Sequence, residues 1–172
     1  IVDNGNRQPI NYVLPPGIER QVDPSTQTLV QLNEQSLAMK VCDLEDGDSR
    51  AAYKTMQLDI RQYKRLKMSI HAEGAGQYLD ALKTGDLSAF IRIGSDFTEN
   101  YYEYEIPLTF TNAGENDPAR VWPSANDLDL SLDQLVTAKQ TRNVAVANGT
   151  WSLQLPYIYP LANGHIIRIV GS

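Results

Sequence analysis

The segment LKMSIHAE, residues 66–73, places an apolar residue at every second position. Successive side chains of a β-strand point to opposite faces, so this period predicts a half-buried strand. Its buried face would carry Leu66, Met68, Ile70 and Ala72. The same period returns in AFIRI, residues 89–93, and in YEYEIPL, residues 102–108.

Turn residues separate these three segments, with Gly85-Asp86 before the second and Gly94-Ser95-Asp96 after it. Glycine and aspartate favour tight reversals, so we interpret the segments as successive antiparallel strands of one hydrophobic sheet face. The predicted core positions on these strands are Met68, Ile70, Ile91, Ile93 and Ile106.

Further alternating segments extend this β pattern along the chain. Residues 36–44 and 51–60 predict a hairpin, residues 151–155 a short strand, and residues 166–170 a denser apolar strand that lies centrally. Helical spacing over 131–140, with Ser131 as N-cap, predicts one short helix. The fold class is therefore all-β: an antiparallel, jelly-roll-like β-sandwich with one short helix. Unequal strands and long loops disfavour the competing membrane barrel.

The length of 172 residues suits one domain of ordinary size. Prolines and polar residues predict an extended lead-in arm over residues 1–34, followed by a single β-sandwich domain over 35–172. The chain starts at Ile1 without a signal-peptide pattern and stops after an apolar run, which indicates a piece of a larger protein. No stretch reaches the roughly 20 apolar residues of a membrane-spanning helix.

The charge balance argues against a nucleic-acid partner, because 15 Lys and Arg against 21 Asp and Glu give a net charge of −6. Cys42 is the single cysteine, which excludes an internal disulfide and the Cys/His quartets of structural zinc sites. We interpret it as an inert small side chain.

Three carboxylates, Asp43, Asp46 and Asp48, gather around Gly47 in one turn. Calcium accepts oxygen ligands at such spacing, which makes these residues candidate metal ligands, but the twelve-residue loop with its closing glutamate is missing. A solvated hairpin turn is the favoured interpretation, and no cofactor is expected.

The sequence contains few residues in arrangements typical of catalytic sites. Glu103 and Glu105 share one strand face and could mimic the acid pair of a glycosidase. Any two residues two positions apart on a strand share a face, however, so this spacing alone does not indicate a catalytic pair. An exposed strand face is therefore expected. His71 and His165 lack a neighbouring nucleophile motif. The sequence therefore predicts that the protein is not an enzyme.

Aromatic residues are concentrated in the second half of the chain. Tyr101, Tyr102 and Trp122 are candidate ligand or partner contacts, because flat rings stack on sugars and anchor protein interfaces. A carbohydrate-binding β-sandwich module of a cell-surface protein is accordingly the alternative function.

Several phrases of the chain together resemble one family. They are NYVLPPGIER (11–20), LNEQSL (32–37), DIRQYKRLKMSIHAE (59–73), RIGSD (92–96) and NYYEYE (100–105). In these phrases the chain is similar to the SprA (Sov) family of gliding-motility proteins, the outer-membrane translocons of the type nine secretion system. The resemblance spans about residues 11 to 143.

This resemblance implies that the chain is one domain of a very large single-chain outer-membrane β-barrel that exports folded cargo. A fragment of barrel strands could not close its edges, so the domain is expected outside the bilayer and not membrane-spanning. The partners implied are the outer-membrane barrel partner, the plug protein and exported cargo proteins. The domain would act without catalysis, by shaping or gating the pore or by contacting these partners.

Overall fold

The protein is described here as a computed structural model, which covers residues 2–3, 13–22, 35–74 and 81–171. The chain divides into two compact units, residues 1–60 and residues 61–172. The predicted lead-in arm over 1–34 lies mostly outside the described residues. The division into an arm and a domain over 35–172 therefore stays a prediction.

The first unit contains little regular structure among its described residues. Strand β1 (Val2–Asp3) pairs antiparallel with β2 (Gln35–Ser36). A tight turn follows Pro15, where the Ile18 backbone N–H donates to the Pro15 carbonyl at 3.1 Å. Gly17 adopts a φ of +78° in this turn, a conformation that glycine reaches without steric cost.

The hairpin predicted over 36–44 and 51–60 is wrong. Beyond Ser36, residues 37–59 form neither helix nor strand, and their apolar side chains are exposed rather than buried, apart from the half-buried Leu44. Alternation stabilises a strand only when one face is covered and the backbone has a neighbour to pair with. The large exposed apolar side chains of this segment are Leu37, Met39, Val41, Tyr53, Met56 and Leu58.

Among its described residues, the second unit contains two antiparallel sheets and one long helix. Its elements in chain order are β3 (Arg65–Met68), β4 (Ser88–Gly94), β5 (Tyr101–Pro107), α1 (Pro118–Val121), β6 (Leu128–Ser131), α2 (Leu132–Ala147), β7 (Tyr157–Pro160) and β8 (Ile166–Val170). Four strands form one sheet in the order β4-β5-β8-β7, while β3 pairs with β6.

The core of this unit lies on one face of the four-stranded sheet. Side chains of β5 and β8 meet those of β6 and α2 there, which gives a sandwich-like arrangement of two layers. The predicted antiparallel, mainly β fold is thereby confirmed. The buried cluster consists of Tyr104, Ile106, Leu128, Leu130, Leu135, Ala138, Ile167 and Ile169.

The strands predicted over 89–93, 102–108 and 166–170 correspond to β4, β5 and β8, and β8 lies centrally as expected. The strand predicted over 66–73 ends at Met68 and belongs to the other sheet, so the three segments do not share one sheet face. Ile106 is fully buried and Ile70, Ile91 and Ile93 are half-buried, whereas Met68 is exposed.

One helix end and one predicted strand also differ from the sequence prediction. Ser131 is the N-cap of α2 as expected, and its backbone N–H donates to the Gln134 side chain at 3.2 Å. The helix continues to Ala147 because no glycine or proline interrupts it before Gly149. The strand predicted over 151–155 is a turn instead, closed by a 3.1 Å hydrogen bond from the Leu155 N–H to the Ser152 carbonyl.

Candidate functional site

The outer face of the four-stranded sheet carries charged residues in one row across three strands. Arg92 on β4 lies opposite Glu103 on β5, and Glu103 lies opposite Arg168 on β8. Strand register therefore places one carboxylate between two guanidinium groups. Opposite charges at directly facing positions stabilise a sheet.

Glu103 is only 2% exposed and both of its carboxylate oxygens are paired. Oε2 accepts from Arg92 Nε at 3.0 Å and also from Nη2 of that side chain, while Oε1 accepts from Arg168 Nη1. Arg168 Nη2 also donates to Glu105 Oε2 at 3.2 Å. We call Arg92, Glu103, Glu105 and Arg168 the ion-pair ladder; its charges sum to zero.

The prediction that Glu103 lies on an exposed strand face is wrong, because two arginines from neighbouring strands cover its carboxylate. Glu105 is half-buried and has one arginine partner. A charged side chain is buried in proteins mainly when it is paired, and the pairing here depends on a strand register that one strand's sequence does not reveal.

Tyr101 contributes an aromatic ring to the same outer face. The Arg92 guanidinium carbon lies 3.9 Å from the centre of that ring, a cation–π contact that covers one face of the tyrosine. Arg92 also donates to the Phe97 carbonyl in the β4–β5 loop. One arginine thus links the strand pair, the loop and the tyrosine.

The β4–β5 loop is ordered by Asp96. Its carboxylate accepts from the Asn100 side chain at 2.8 Å and from the backbone N–H groups of Thr98, Glu99 and Asn100 at 2.6 to 3.0 Å. These hydrogen bonds hold the pKa of Asp96 well below its usual range, and the bond from the Asn100 side chain has the largest effect. The loop is therefore fixed beside the ladder.

The other two predicted contact residues lie in different surroundings. Tyr102 faces the opposite side of β5 from Tyr101, with the Lys139 ammonium 5.9 Å from its ring centre. Trp122 lies 5.6 Å from the ring of His71, and His71 Nδ1 is 2.8 Å from the Val121 carbonyl oxygen. A ligand or partner role for Tyr101, Tyr102 and Trp122 stays a prediction.

The acidic turn does not assemble a metal site among the described residues, where no three His, Cys, Asp or Glu side chains gather closely enough to hold an ion. Asp48 pairs instead with Arg50 at 3.2 Å. Asp43 adopts a φ of +50°, a conformation that aspartate tolerates in turns.

Exposed apolar side chains that were not predicted from the sequence lie between the end of α2 and the start of β7. We call residues 151–158 the apolar loop; its exposed apolar side chains are Trp151, Leu153, Leu155 and Ile158. The Trp151 ring packs edge-on against Tyr157 at 5.5 Å, and its Nε1–H donates to the Leu155 carbonyl at 3.4 Å. The sequence does contain one indication of this apolar loop, because residues 143–167 contain no Asp, Glu, Lys or Arg.

His165 lies inside the unit and is 6% exposed. The Asn163 side chain accepts the His165 backbone N–H through Oδ1, which turns its Nδ2 donor toward His165 Nδ1 at 3.0 Å. The Tyr104 hydroxyl donates to the same nitrogen at 2.7 Å. Burial lowers the pKa of His165 below 6.5, and a hydrogen bond to the Ala125 backbone partly opposes this shift.

We expect this histidine to make stability depend on pH. Its pKa is lower in the folded than in the unfolded chain, so its contribution is complete above about pH 6.5 and is lost as the pH falls through the folded pKa. The urea midpoint should therefore be lower at about pH 5.5 than at about pH 7.5, a window above the ordinary carboxylate range.

The His165→Gln variant should lose most of this difference between the two pH values. A His71→Gln variant, which leaves His165 in place, should retain it. Equal midpoints for the unsubstituted protein at both pH values would contradict the assignment.

A comparison with protein-family models matches residues 1–172 to SprA_N, described as motility related/secretion protein. The match covers the whole chain, so the chain belongs to this family, as the phrases in its sequence suggested. No curated protein matches the chain. Among the described residues, no helix combines the length and apolar character needed to cross a bilayer.

Proposed function

From membership of the chain in this motility and secretion family, we propose that it is a non-catalytic domain of an outer-membrane translocon of the type nine secretion system. In this role it supports protein export and gliding motility by contact with other polypeptides. The proposed partners are the outer-membrane barrel partner, the plug protein and exported cargo. The family match over the whole chain is the observation that carries this proposal.

The state of the acidic residues supports a role without catalysis. A general acid or base needs a carboxylate that can reach a substrate proton. Both oxygens of Glu103 are engaged by guanidinium groups, and Glu105 accepts from Arg168. The carboxylates of the ladder therefore stabilise the sheet and are not free for proton transfer.

The apolar loop supports a role in contact. Contiguous apolar side chains on a protein surface mark interaction sites, because covering them removes apolar area from water. Leu155 is 55% exposed and Leu153 is also exposed, while Trp151 holds the loop together through its hydrogen bond to Leu155 and its ring contact with Tyr157. A fixed loop loses little conformational entropy when a partner binds.

The experiment replaces both leucines with serine in the full-length translocon protein. Because both side chains are exposed, the Leu153→Ser, Leu155→Ser protein should fold and reach normal levels, with little change in stability. Export of cargo and gliding should nevertheless fall strongly, measured as secreted cargo in the medium and as the speed of cells on a surface.

Val136→Ser is the matched control, since Val136 is a similarly exposed apolar side chain on α2 outside the loop, and it should leave export normal. Normal export and gliding in the double variant would contradict a contact role for the loop. Glycan-array binding that is lost in Trp122→Ala would instead favour the carbohydrate-binding alternative.

A further inference from the structure

Strand β4 forms one edge of the four-stranded sheet in the part of the chain that the structure describes. Strand β4 is the first strand in the sheet order, and among the described residues it pairs only with β5. It is seven residues long, and its apolar inner-face residues Ala89, Ile91 and Ile93 are only half-buried. A long edge of this kind is a template for pairing with another strand.

The hydrogen-bond pattern shows which backbone groups of β4 point away from β5. Leu108 N–H donates to the Leu87 carbonyl at 2.9 Å, and Ser95 N–H donates to the Asn100 carbonyl at 3.1 Å. Odd-numbered residues of β4 therefore bond to β5, because bonded pairs alternate along an antiparallel ladder. The even-numbered residues point their N–H and C=O groups away from β5; they are Ser88, Phe90, Arg92 and Gly94.

The opposite edge of the sheet is less open. Strand β7 has four residues and ends in Pro160, which has no N–H to donate. By the same alternation, counted from the 2.9 Å bond between Leu161 N–H and the His165 carbonyl, Ile158 is its one outward N–H donor. If the four-stranded sheets of two molecules pair edge to edge, the pairing is therefore expected at β4.

We infer that β4 pairs antiparallel with β4 of a second copy of this chain, around a two-fold axis at Ile91. This register places Phe90 opposite Arg92 of the second copy and Ser88 opposite its Gly94. All four are outward-pointing residues, so every facing pair can exchange both backbone hydrogen bonds. Ile91 faces its own copy across the axis, as a non-bonded pair requires.

Side chains are compatible with this register. Each Arg92 is already neutralised by Glu103 in its own chain, so no unpaired charge faces a like charge across the axis. The half-buried row of Ala89, Ile91 and Ile93 would continue into the same row of the second copy, which covers apolar surface on both. Because one strand edge is a small contact, the dimer is weak and depends on concentration.

Sedimentation equilibrium of the 172-residue protein tests this inference. The average mass should rise from monomer toward dimer between about 10 μM and about 1 mM. Phe90→Pro removes an outward N–H without removing a bond to β5, and should raise the dissociation constant at least about tenfold. Phe90→Lys should weaken the dimer too, without altering the backbone, because it sets a lysine opposite Arg92 of the other copy.

Ile158→Pro on β7 is the matched control and should leave association unchanged. Circular dichroism and thermal melts verify that each variant is folded. A protein that stays monomeric throughout the concentration range overturns the inference. A dimer that survives Phe90→Pro and Phe90→Lys, or one that is lost in Ile158→Pro, also overturns it, since association would then use another surface.

Discussion

Ile106→Ala should lower the free energy of unfolding of the second unit by about 2–5 kcal/mol. Ile106 is 0% exposed and belongs to the buried cluster between the four-stranded sheet, β6 and α2. Truncation removes three buried carbon atoms and leaves a cavity, because a packed interior relaxes only partly around the missing atoms. Urea titration at pH 7.5, followed by circular dichroism, measures the change.

Ile158→Ala makes the same truncation at a side chain that is 52% exposed, so its effect should stay within about 0.5 kcal/mol. Similar losses for the two variants would mean that the sheet faces are assigned incorrectly. Such an outcome would contradict the inner face of β5 directly, since a shift of one residue exchanges the two faces of a strand.

Glu103→Gln should lower the free energy of unfolding by about 2–4 kcal/mol. Glutamine keeps the size of the side chain but removes the charge that two arginines share, and its amide nitrogen cannot accept from either. The guanidinium groups of Arg92 and Arg168 remain half-buried and then lack the Glu103 carboxylate, although Arg168 keeps its bond to Glu105. Partial access of both arginines to water keeps the expected loss below that of a fully enclosed pair.

Glu105→Gln is the matched change two residues away, where one arginine bond is made, and it should cost about 1 kcal/mol or less. Arg168→Met should be less destabilising in the Glu103→Gln background than in the unsubstituted protein, because Arg168 has already lost its Glu103 partner there and keeps only Glu105. Equal effects for the two glutamine substitutions would contradict the larger role of Glu103, and an undiminished effect of Arg168→Met in the Glu103→Gln background would show that the ladder does not act as a unit.

Hydrophobic alternation predicted β4, β5 and β8 because each of these strands covers a core with one face. The same pattern failed over 37–59 and over 151–155, where nearly all apolar residues are exposed and the backbone forms no strand pairing in the described structure. Periodicity reports which residues share a face. It does not report whether anything packs against that face.

Longer-range features were missed for a different reason. Strand β6 is short and lies among polar residues, although Leu128 and Leu130 do alternate there. The ladder requires the register of three strands, and the Asn126 side chain exchanges two 2.8 Å hydrogen bonds with the backbone of Thr109. Contacts of this kind join segments that are far apart in the chain, so they cannot be predicted from the pattern of any one short segment.

Because β8 lies between β5 and β7, the four-stranded sheet is complete only when the last strand of the described chain has paired. Glu103 and Arg168 are 65 positions apart, and β8 is the last strand of the described chain. Until residues 166–170 pair with β5, this strand has one open edge, and the Glu103 carboxylate is paired with Arg92 alone. Until β8 pairs with it, the edge of β5 is available to strands of other chains.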